Sequence, residues 1–504
     1  MAEEPVITLA LDTVRLNKQA LVFAHSKASA EKTAEDIAHA LKKIIPFQLA
    51  LSTKCLSTLE RPTKQCERLA KCVEYSVAFH HAGLPAKQRS LIEEEFKKGA
   101  IKIIACTPTL AAGINLPSFR VIIKDLKRFG INGMAWIPNL EYQQMAGRCG
   151  RPDFHDTHGE AIIIANDEHM KEELSTRYIT GVPEAIYSKL AVEPVFRTYT
   201  LSLIAVHSFR TRQQLFTFFK KTFWAHHYGD MERIRQHLDN VVEMLKEWEF
   251  IGGITSAPQS FVSTLLLGNE KYDATLLGKR VAELYLDPLT AYELLQGIRK
   301  AKQKTVTSFS LLHLISCALE MRPLLRVGVR ERKQVEEQLV LHDEELLTKA
   351  DYDYDSFLDS TKTALLLLDW VNEADEEALY EKYNVRPGET HAKLERADWL
   401  LFALGELSKL SAHPLQKEVI RLRLMLEYGV KEELLPLLKF EGIGKIRARL
   451  LYVHGIKDVA GVKKASVSML SALVGKHLAA SLKRQVGMPV VEEKVLTLEE
   501  WSAK

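Results

Sequence analysis

Short apolar runs alternate with stretches of helical periodicity over residues 1–185. Ala20 to Ala24, Val77 to His80, residues 101–106, Val121 to Lys124 and Gly159 to Ala165 read as strands. Brief apolar runs bounded by polar residues suit strands buried on both faces of a parallel sheet. Between them, Ser29 to Lys43 reads as a helix capped by Ser29, and Leu84 to Lys98 as a helix followed by Gly99. This βαβ rhythm implies an α/β domain with both sheet faces covered. Ligands of such sheets bind beyond the carboxyl ends of the strands, where His80 and Thr107 fall.

The pattern changes after residue 185. Over 186–290, Thr200 to Ser208, Arg212 to Thr222 and Met231 to Glu249 read as helices. Phe261 to Leu267 and Ala274 to Leu277 could then pair as strands around Gly268-Asn269. Residues 291–428 are almost entirely helical, punctuated by Pro323, Pro387 and Pro414. A helix starting near Glu389 carries the apolar stripe Leu394, Ala397, Leu400, Leu401, Leu404 and Leu407. Trp399 falls nearly opposite that stripe, beside Glu395, Phe402 and Glu406. Residues 429–504 form a last small domain and a loosely ordered tail. The second and later domains are thus mainly α.

Composition narrows the picture without deciding it. A chain of 504 residues has room for three or four domains, and 46% hydrophobic with 26% charged residues is ordinary for a soluble protein. A formal charge of +3 is too small to argue for nucleic acid, so any basic surface must be local. Cys55, Cys66, Cys72, Cys106, Cys149 and Cys317 include no C-x-x-C pair, which argues against zinc or a disulfide framework and for reduced thiols in the cytoplasm. The N-terminus is acidic and lacks the apolar run of a signal peptide, no apolar stretch approaches the length of a membrane span, and no metal site is expected.

The stretch Gln144-Met145-Ala146-Gly147-Arg148-Cys149-Gly150-Arg151-Pro152 carries the first candidate chemistry. Read as a helix end, it sets Gln144, Arg148 and Arg151 at i, i+4 and i+7 on one face. Gly147 and Gly150 clear space beside two guanidiniums, which suits a phosphate delivered by another domain. A helix terminus with two solvated arginines is the plainer alternative. Upstream, the strand 101–106 leads into Thr107-Pro108-Thr109 and Leu110-Ala111-Ala112-Gly113-Ile114-Asn115-Leu116-Pro117. Together with Phe79-His80-His81-Ala82-Gly83-Leu84 and Leu21-Val22-Phe23-Ala24-His25-Ser26, in this order and spacing, these resemble the second-domain motifs of superfamily-two helicases. The resemblance is to the archaeal DNA repair helicases related to the helicase half of DNA polymerase theta.

That resemblance implies a second RecA-like domain over 1–185, a winged helix over 186–290, a helical ratchet domain over 291–428 and a helix-hairpin-helix over 429–504. It implies an ATP-dependent 3′–5′ DNA helicase acting on single-stranded and forked DNA in repair or replication restart, monomeric and nucleoid-associated. Arg151 would be the arginine finger, with Arg148 beside it and Gln144 near the phosphates, while Gly113 approaches the nucleotide. Thr107, His81 and Gly83 would touch the DNA backbone. Asn132-Gly133 marks a hairpin whose Phe129, Met134 and Trp136 would either stack on the last base pair or pack against a neighbour. Trp399 would stack on a base of the translocated strand, unless its helix is buried on both sides. The winged helix is expected to brace the RecA-like domain rather than read bases. Gly442, Gly444, Lys445, Arg447 and Arg449, with a companion turn at His454 to Ala460, would hold phosphates or else pack as a plain helix turn.

No G-x-x-x-x-G-K-[ST] occurs; Gly278-Lys279, Gly444-Lys445 and Gly475-Lys476 each lack the hydroxyl or the loop. Nor does a D-E-x-H follow any strand. ATP and Mg2+ would then be shared with a first RecA-like domain, in cis or in trans, and the chain by itself is expected to be inert toward ATP. A non-catalytic DNA-binding module and an RNA helicase of the same superfamily are the alternatives.

Overall fold

The computed structural model describes residues 4–59, 62–111, 116–130, 133–150, 156–254, 271–349, 353–411 and 415–488. Two compact units result: Met1–Tyr187 with Glu376–Ala392, and Ser188–Asp375 with Lys393–Lys504.

The first unit is built on a five-stranded parallel sheet. In chain order it contains α1 (Pro5–Arg15), β1 (Ala20–Phe23), α2 (Lys27–Leu41), α3 (Leu49–Leu56), α4 (Lys64–Val73), β2 (Val77–His80), α5 (Ala86–Lys97), β3 (Ile103–Cys106), β4 (Arg120–Ile123), β5 (Lys127–Gly130), β6 (Gly133–Trp136), α6 (Asn139–Ala146), β7 (Glu160–Ile163) and α7 (Glu168–Leu174). The sheet order is β2-β3-β1-β4-β7, with Ala20 opposite Ile103 on one side and Arg120 on the other. Every residue of β1, β2, β3 and β4 is buried, as continuous apolar strands demand.

Three local differences from the sequence reading have physical causes. Ser26, not Ser29, caps α2, because its hydroxyl accepts the Ser29 N–H at 3.1 Å. The N-terminal residues form α1, which buries Val6, Ala10 and Leu11 and ties to the sheet through Arg120, bonded to Asp12 and Thr13 at 2.8 Å each. α3 and α4 were not read from the sequence; both are short, and their buried faces mix Leu51, Leu69 and Val73 with Ser52, Cys55, Cys66 and Cys72, which blurs the apolar stripe.

The second unit is mostly helical. It runs α8 (Glu193–Ala205), α9 (Arg212–Phe219), α10 (Phe223–Tyr228), α11 (Met231–Glu247), β8 (Ile251–Ile254), β9 (Lys271–Ala274), α12 (Leu276–Glu283), α13 (Pro288–Ala301), α14 (Ser308–Ser316), α15 (Arg332–Leu341) and α16 (Tyr354–Val371). α17 (Glu376–Tyr383) and the first turn of α18 (Pro387–Leu410) belong to the first unit. The chain then continues with α19 (Gln416–Tyr428), α20 (Lys445–Val453), α21 (Val459–Lys464), α22 (Val467–Val474) and α23 (Lys476–Gln485).

Residues 261–267 lie outside the described residues. The second expected strand is corrected: β9 ends at Ala274 and pairs with β8, while Leu276 and Leu277 are helical. Thr275 decides this boundary, its hydroxyl accepting the Gly278 N–H at 3.0 Å as a helix cap. The α18 stripe is buried throughout, and residues 430–486 have a core of their own around Leu434, Leu451 and Leu482. All six cysteines are free, four of them buried. Among the described residues no helix is long and apolar enough to cross a membrane.

Candidate nucleic-acid interface

Past the carboxyl ends of β1, β3 and β4 lies a cavity of about 840 Å³. Its lining includes His25, Thr107, Asp125, Arg128, Glu141 and Gln144. Thr107 leaves β3 with its hydroxyl 2.8 Å from that of Thr109, so a hydroxyl pair marks this strand end. His25 Nδ1 sits 2.8 Å from Asp125 Oδ2, and Arg128 pairs with Glu141 at 2.9 Å. Pro108, Ile137, Pro138 and Leu140 make most of the wall apolar, and the charges at its mouth are mostly matched.

The helix expected to align Gln144, Arg148 and Arg151 stops too early. α6 ends at Ala146, with the Gly147 N–H donating to Gln143 O at 2.8 Å. Cys149 is then drawn into a parallel bridge with Ser118, closed by Ser118 N–H to Arg148 O at 2.9 Å and Gly150 N–H to Ser118 O at 2.7 Å. Gly150 takes a φ of +93°, and a Cβ on the facing Gly159 would come within 2.3 Å of Gly150 N. Gln144 stays exposed on the cavity wall, but Arg148 is off the helix and half-buried. Its Nε donates to the Ala111 carbonyl at 3.1 Å, tying this stretch to the loop after β3. Arg151 and Gly113 lie outside the described residues.

In the loop after β2, His81 and Gly83 are buried, while Ala82 between them stays exposed on the cavity wall. His81 is fully buried, donating from Nε2 to Glu31 at 3.1 Å and accepting the Gly83 N–H on Nδ1 at 3.1 Å. Burial holds its pKa below the ordinary histidine value, the hydrogen bond to Glu31 notwithstanding. A Cβ on Gly83 would meet Arg386 Cδ at 2.5 Å, and Gly388 N–H donates to Gly83 O at 3.0 Å. The backbone face that would receive a phosphate is thus covered by the segment Glu376–Ala392 of the same unit.

Glu31 is the hub of that closure and was missed in the sequence. Gln65 at 2.7 Å, Arg68 at 2.7 Å, His81 at 3.1 Å and Arg386 at 3.2 Å all converge on its carboxylate, whose side chain is 3% exposed. Burial alone would raise its pKa, but the hydrogen bonds from His81 and Gln65 and the Arg386 charge outweigh it and hold the group down to about 2. A glutamate inside an alanine-rich helix face was the available signal.

The hairpin β5–β6 forms, pairing Phe129 with Met134 and Lys127 with Trp136. The Phe129 side chain is outside the described residues. Met134 is 59% exposed and free to touch a ligand. Trp136 is not: Lys127 Nζ sits 4.0 Å and Arg177 5.2 Å from its ring centre, and Tyr178 meets its edge. Two cations and the Tyr178 ring thus already crowd the Trp136 indole.

In the second unit Trp399 is half-buried, its indole N–H donating to Leu284 O at 3.3 Å. Its neighbour Phe402 is exposed but lies under Arg423, 5.1 Å away. In the last domain Gly442 adopts φ +81° and Gly444 opens α20, where an added Cβ would meet nothing. Lys445 and Arg449 do not face outward as expected. Lys445 donates to Ala374 O at 3.1 Å, and Arg449 is locked to Glu373 at 2.9 Å and Glu433 at 2.7 Å. Arg447 remains exposed, bonded to Gly442 O at 2.8 Å. Among the described residues no three metal-ligating side chains converge.

A parallel sheet of this order, followed by many helices and with polar groups gathered at the strand ends, defines a RecA-like motor domain joined to a helical assembly. Residues 4–153 match the helicase conserved C-terminal domain, and residues 309–429 match the archaeal helicase domain 4. Over 501 residues the chain is 38% identical to the ATP-dependent DNA helicase Hel308 of Methanocella arvoryzae, covering 97% of this chain and 65% of that protein. The Hel308 proteins of Methanococcus vannielii and Pyrococcus horikoshii are 35% and 36% identical, over 97% and 96% of this chain and 68% and 66% of their own lengths. The chain belongs to this family of archaeal superfamily-two DNA repair helicases, and it spans about two-thirds of the length of these relatives.

Proposed function

We propose that the chain supplies the second RecA-like domain and the DNA-gripping domains of an ATP-dependent 3′–5′ DNA helicase that opens forked DNA. The observation that carries this is the cavity past β3, where Gln144 and Thr107 set polar groups into a largely apolar wall and Arg148 fastens the two stretches together. Such a wall supplies hydrogen-bonding groups and, through the arginine stretch, positive charge toward a triphosphate. The sequence holds no glycine-rich phosphate-nest motif and, among the described residues, no cluster of three metal-ligating side chains, so ATP and Mg2+ would be gripped chiefly by a first RecA-like domain in cis or in trans. When bound, ATP would provide the phosphoryl chemistry; the groups of this chain orient and neutralise. In the reading, Arg151 is the arginine finger and Gly113 allows close approach to the nucleotide.

On the DNA side, Met134, Trp399, Arg447 and the Gly442–Gly444 turn remain the contact candidates, with Trp399 stacking on the tracked strand, while Thr107, only 8% exposed, would be reached through the cavity it lines. The winged-helix and helix-hairpin-helix assignments over 186–290 and 429–504 belong to this proposal too. Supplying the purified chain with ATP, Mg2+ and oligo(dT) tests it: strand binding without hydrolysis is expected, with hydrolysis and 3′–5′ unwinding once the first RecA-like domain is added. Turnover by the chain alone would overturn the division of labour. Equal unwinding of RNA and DNA forks at one stated salt would favour the RNA reading.

A further inference from the structure

Between α14 and α15 the chain runs without regular structure from Arg322 to Gly328, yet its backbone is held at almost every step. Buried Lys393 donates to Met321 O at 2.6 Å and also to Pro323 O, and Arg396 donates to Arg322 O at 2.7 Å. From α16, Thr363 accepts the Leu325 N–H at 3.0 Å, Asp359 accepts the Val327 N–H at 2.7 Å, and buried Lys362 donates to Arg326 O at 2.8 Å. Glu331 accepts the Gly328 N–H at 2.6 Å and pairs with Lys362. Burying two ammonium groups is costly unless each is fully bonded, and here both are bonded to this segment. The arrangement ties down an irregular strap through side chains of α16 and α18.

What the strap presents is positive. Arg322, Arg326 and Arg330 recur every fourth residue and all three are exposed. Among the described residues neither Arg326 nor Arg330 has an ion-pair partner, whereas Arg332 just beyond is paired with Glu336 and Asp355. Among the described residues the Arg322 guanidinium gives one bond, to Ser356 Oγ at 3.2 Å, and so keeps donors to spare. The strap also joins the face of α18 that carries Trp399, because Arg396 stands one turn before Trp399.

We propose that residues 322–330 are a second track for the strand, with Arg322, Arg326 and Arg330 contacting successive stretches of its sugar-phosphate backbone beside the base held at Trp399. Guanidiniums carried on a pinned backbone meet phosphates without any cost of ordering the main chain and read no sequence, as a translocating enzyme requires. The inference rests on the DNA-binding reading above and adds to it a site on the strap.

Each phosphate contact on a single strand contributes about 0.7 to the slope of log affinity against log salt. Anisotropy titrations of labelled oligo(dT) with the purified chain between about 50 and 200 mM salt measure that slope. R326A/R330A should flatten it by about 1.4, so that its affinity gap to wild type narrows about sevenfold across this range. K71A/K97A, which removes the same charge from exposed sites on α4 and α5, should keep the wild-type slope. Thermal unfolding of R326A/R330A should match wild type, since both arginines are exposed. An unchanged slope in R326A/R330A, or equal flattening in K71A/K97A, overturns the track alone. Wild-type chain that fails to bind the oligonucleotide at the lowest salt overturns the DNA reading and the track together.

Discussion

The loops that follow β2 and β3 leave neighbouring strands of one sheet at the same edge, and they end differently. After β3, Thr107 and Thr109 open onto a cavity that Gln144 also lines. After β2, His81 turns inward onto Glu31, and Arg386 and Gly388 lie over Gly83. Strand order brings ligand-facing loops to one edge, but what covers each loop is decided by another part of the chain, here some three hundred residues away.

The sharpest way to break this contrast is at the hub of the closed loop. Glu31→Ala leaves Arg68, His81 and Arg386 around an empty site and should destabilise the first unit by about 3 kcal/mol or more, read by chemical unfolding. A cost below about 0.5 kcal/mol, the usual range for a surface change, would mean the hub does not hold the segment.

Next comes the backbone contact. A Cβ at Gly388 would stand 2.3 Å from Ala82 O and 2.6 Å from Leu84 O, so Gly388→Ala must push Glu376–Ala392 away from the loop. The expected cost is about 1–3 kcal/mol, with faster amide exchange in α17 as the specific sign. Unaltered exchange there would count against the cover.

Acid should loosen the closed loop while leaving the open one alone. His81 and Glu31 both have folded pKa values below their unfolded ones. Each therefore contributes stability above its unfolded value and loses it as pH falls, first through about 6.5 for the histidine and then through about 4.3 for the carboxyl. The thermal midpoint should be level above about pH 7, decline below about 6.5 and fall more steeply below about 4.3. In Glu31→Gln the steep acid limb should shrink, and persistence of that limb would assign it to other carboxylates.

The open side should barely respond. Gln144→Ala removes an exposed side chain from the cavity wall and should shift stability by less than about 0.5 kcal/mol. A larger loss would show that the cavity depends on Gln144 for its shape.

Much of the sheet was legible because its strands are continuous apolar runs; Val77 to His80 falls where the sequence places it, and the α18 stripe from Leu394 to Leu407 is buried as its periodicity predicts. Site geometry was less so. One backbone bridge between Ser118 and Cys149 ended the α6 helix before Arg148 could join its face, and local spacing carries no sign of such a pairing. The fates of Trp136, Lys445 and Arg449 were hidden for a related reason. A charged or aromatic side chain looks the same in sequence whether it meets solvent or, like Arg449, the carboxylates of Glu373 and Glu433.

The cysteines have a practical consequence for watching this protein at work. Burial pushes the Cys55 and Cys72 thiols up to about 12 and Cys106 well above its ordinary value, and no thiol of the six is fully exposed. Thiolate is the form that attacks a maleimide, so the native chain should take up such dyes slowly. A cysteine placed at Val329, which is 95% exposed on the arginine strap, would react ahead of every native thiol and let a single dye report the arrival of an oligonucleotide.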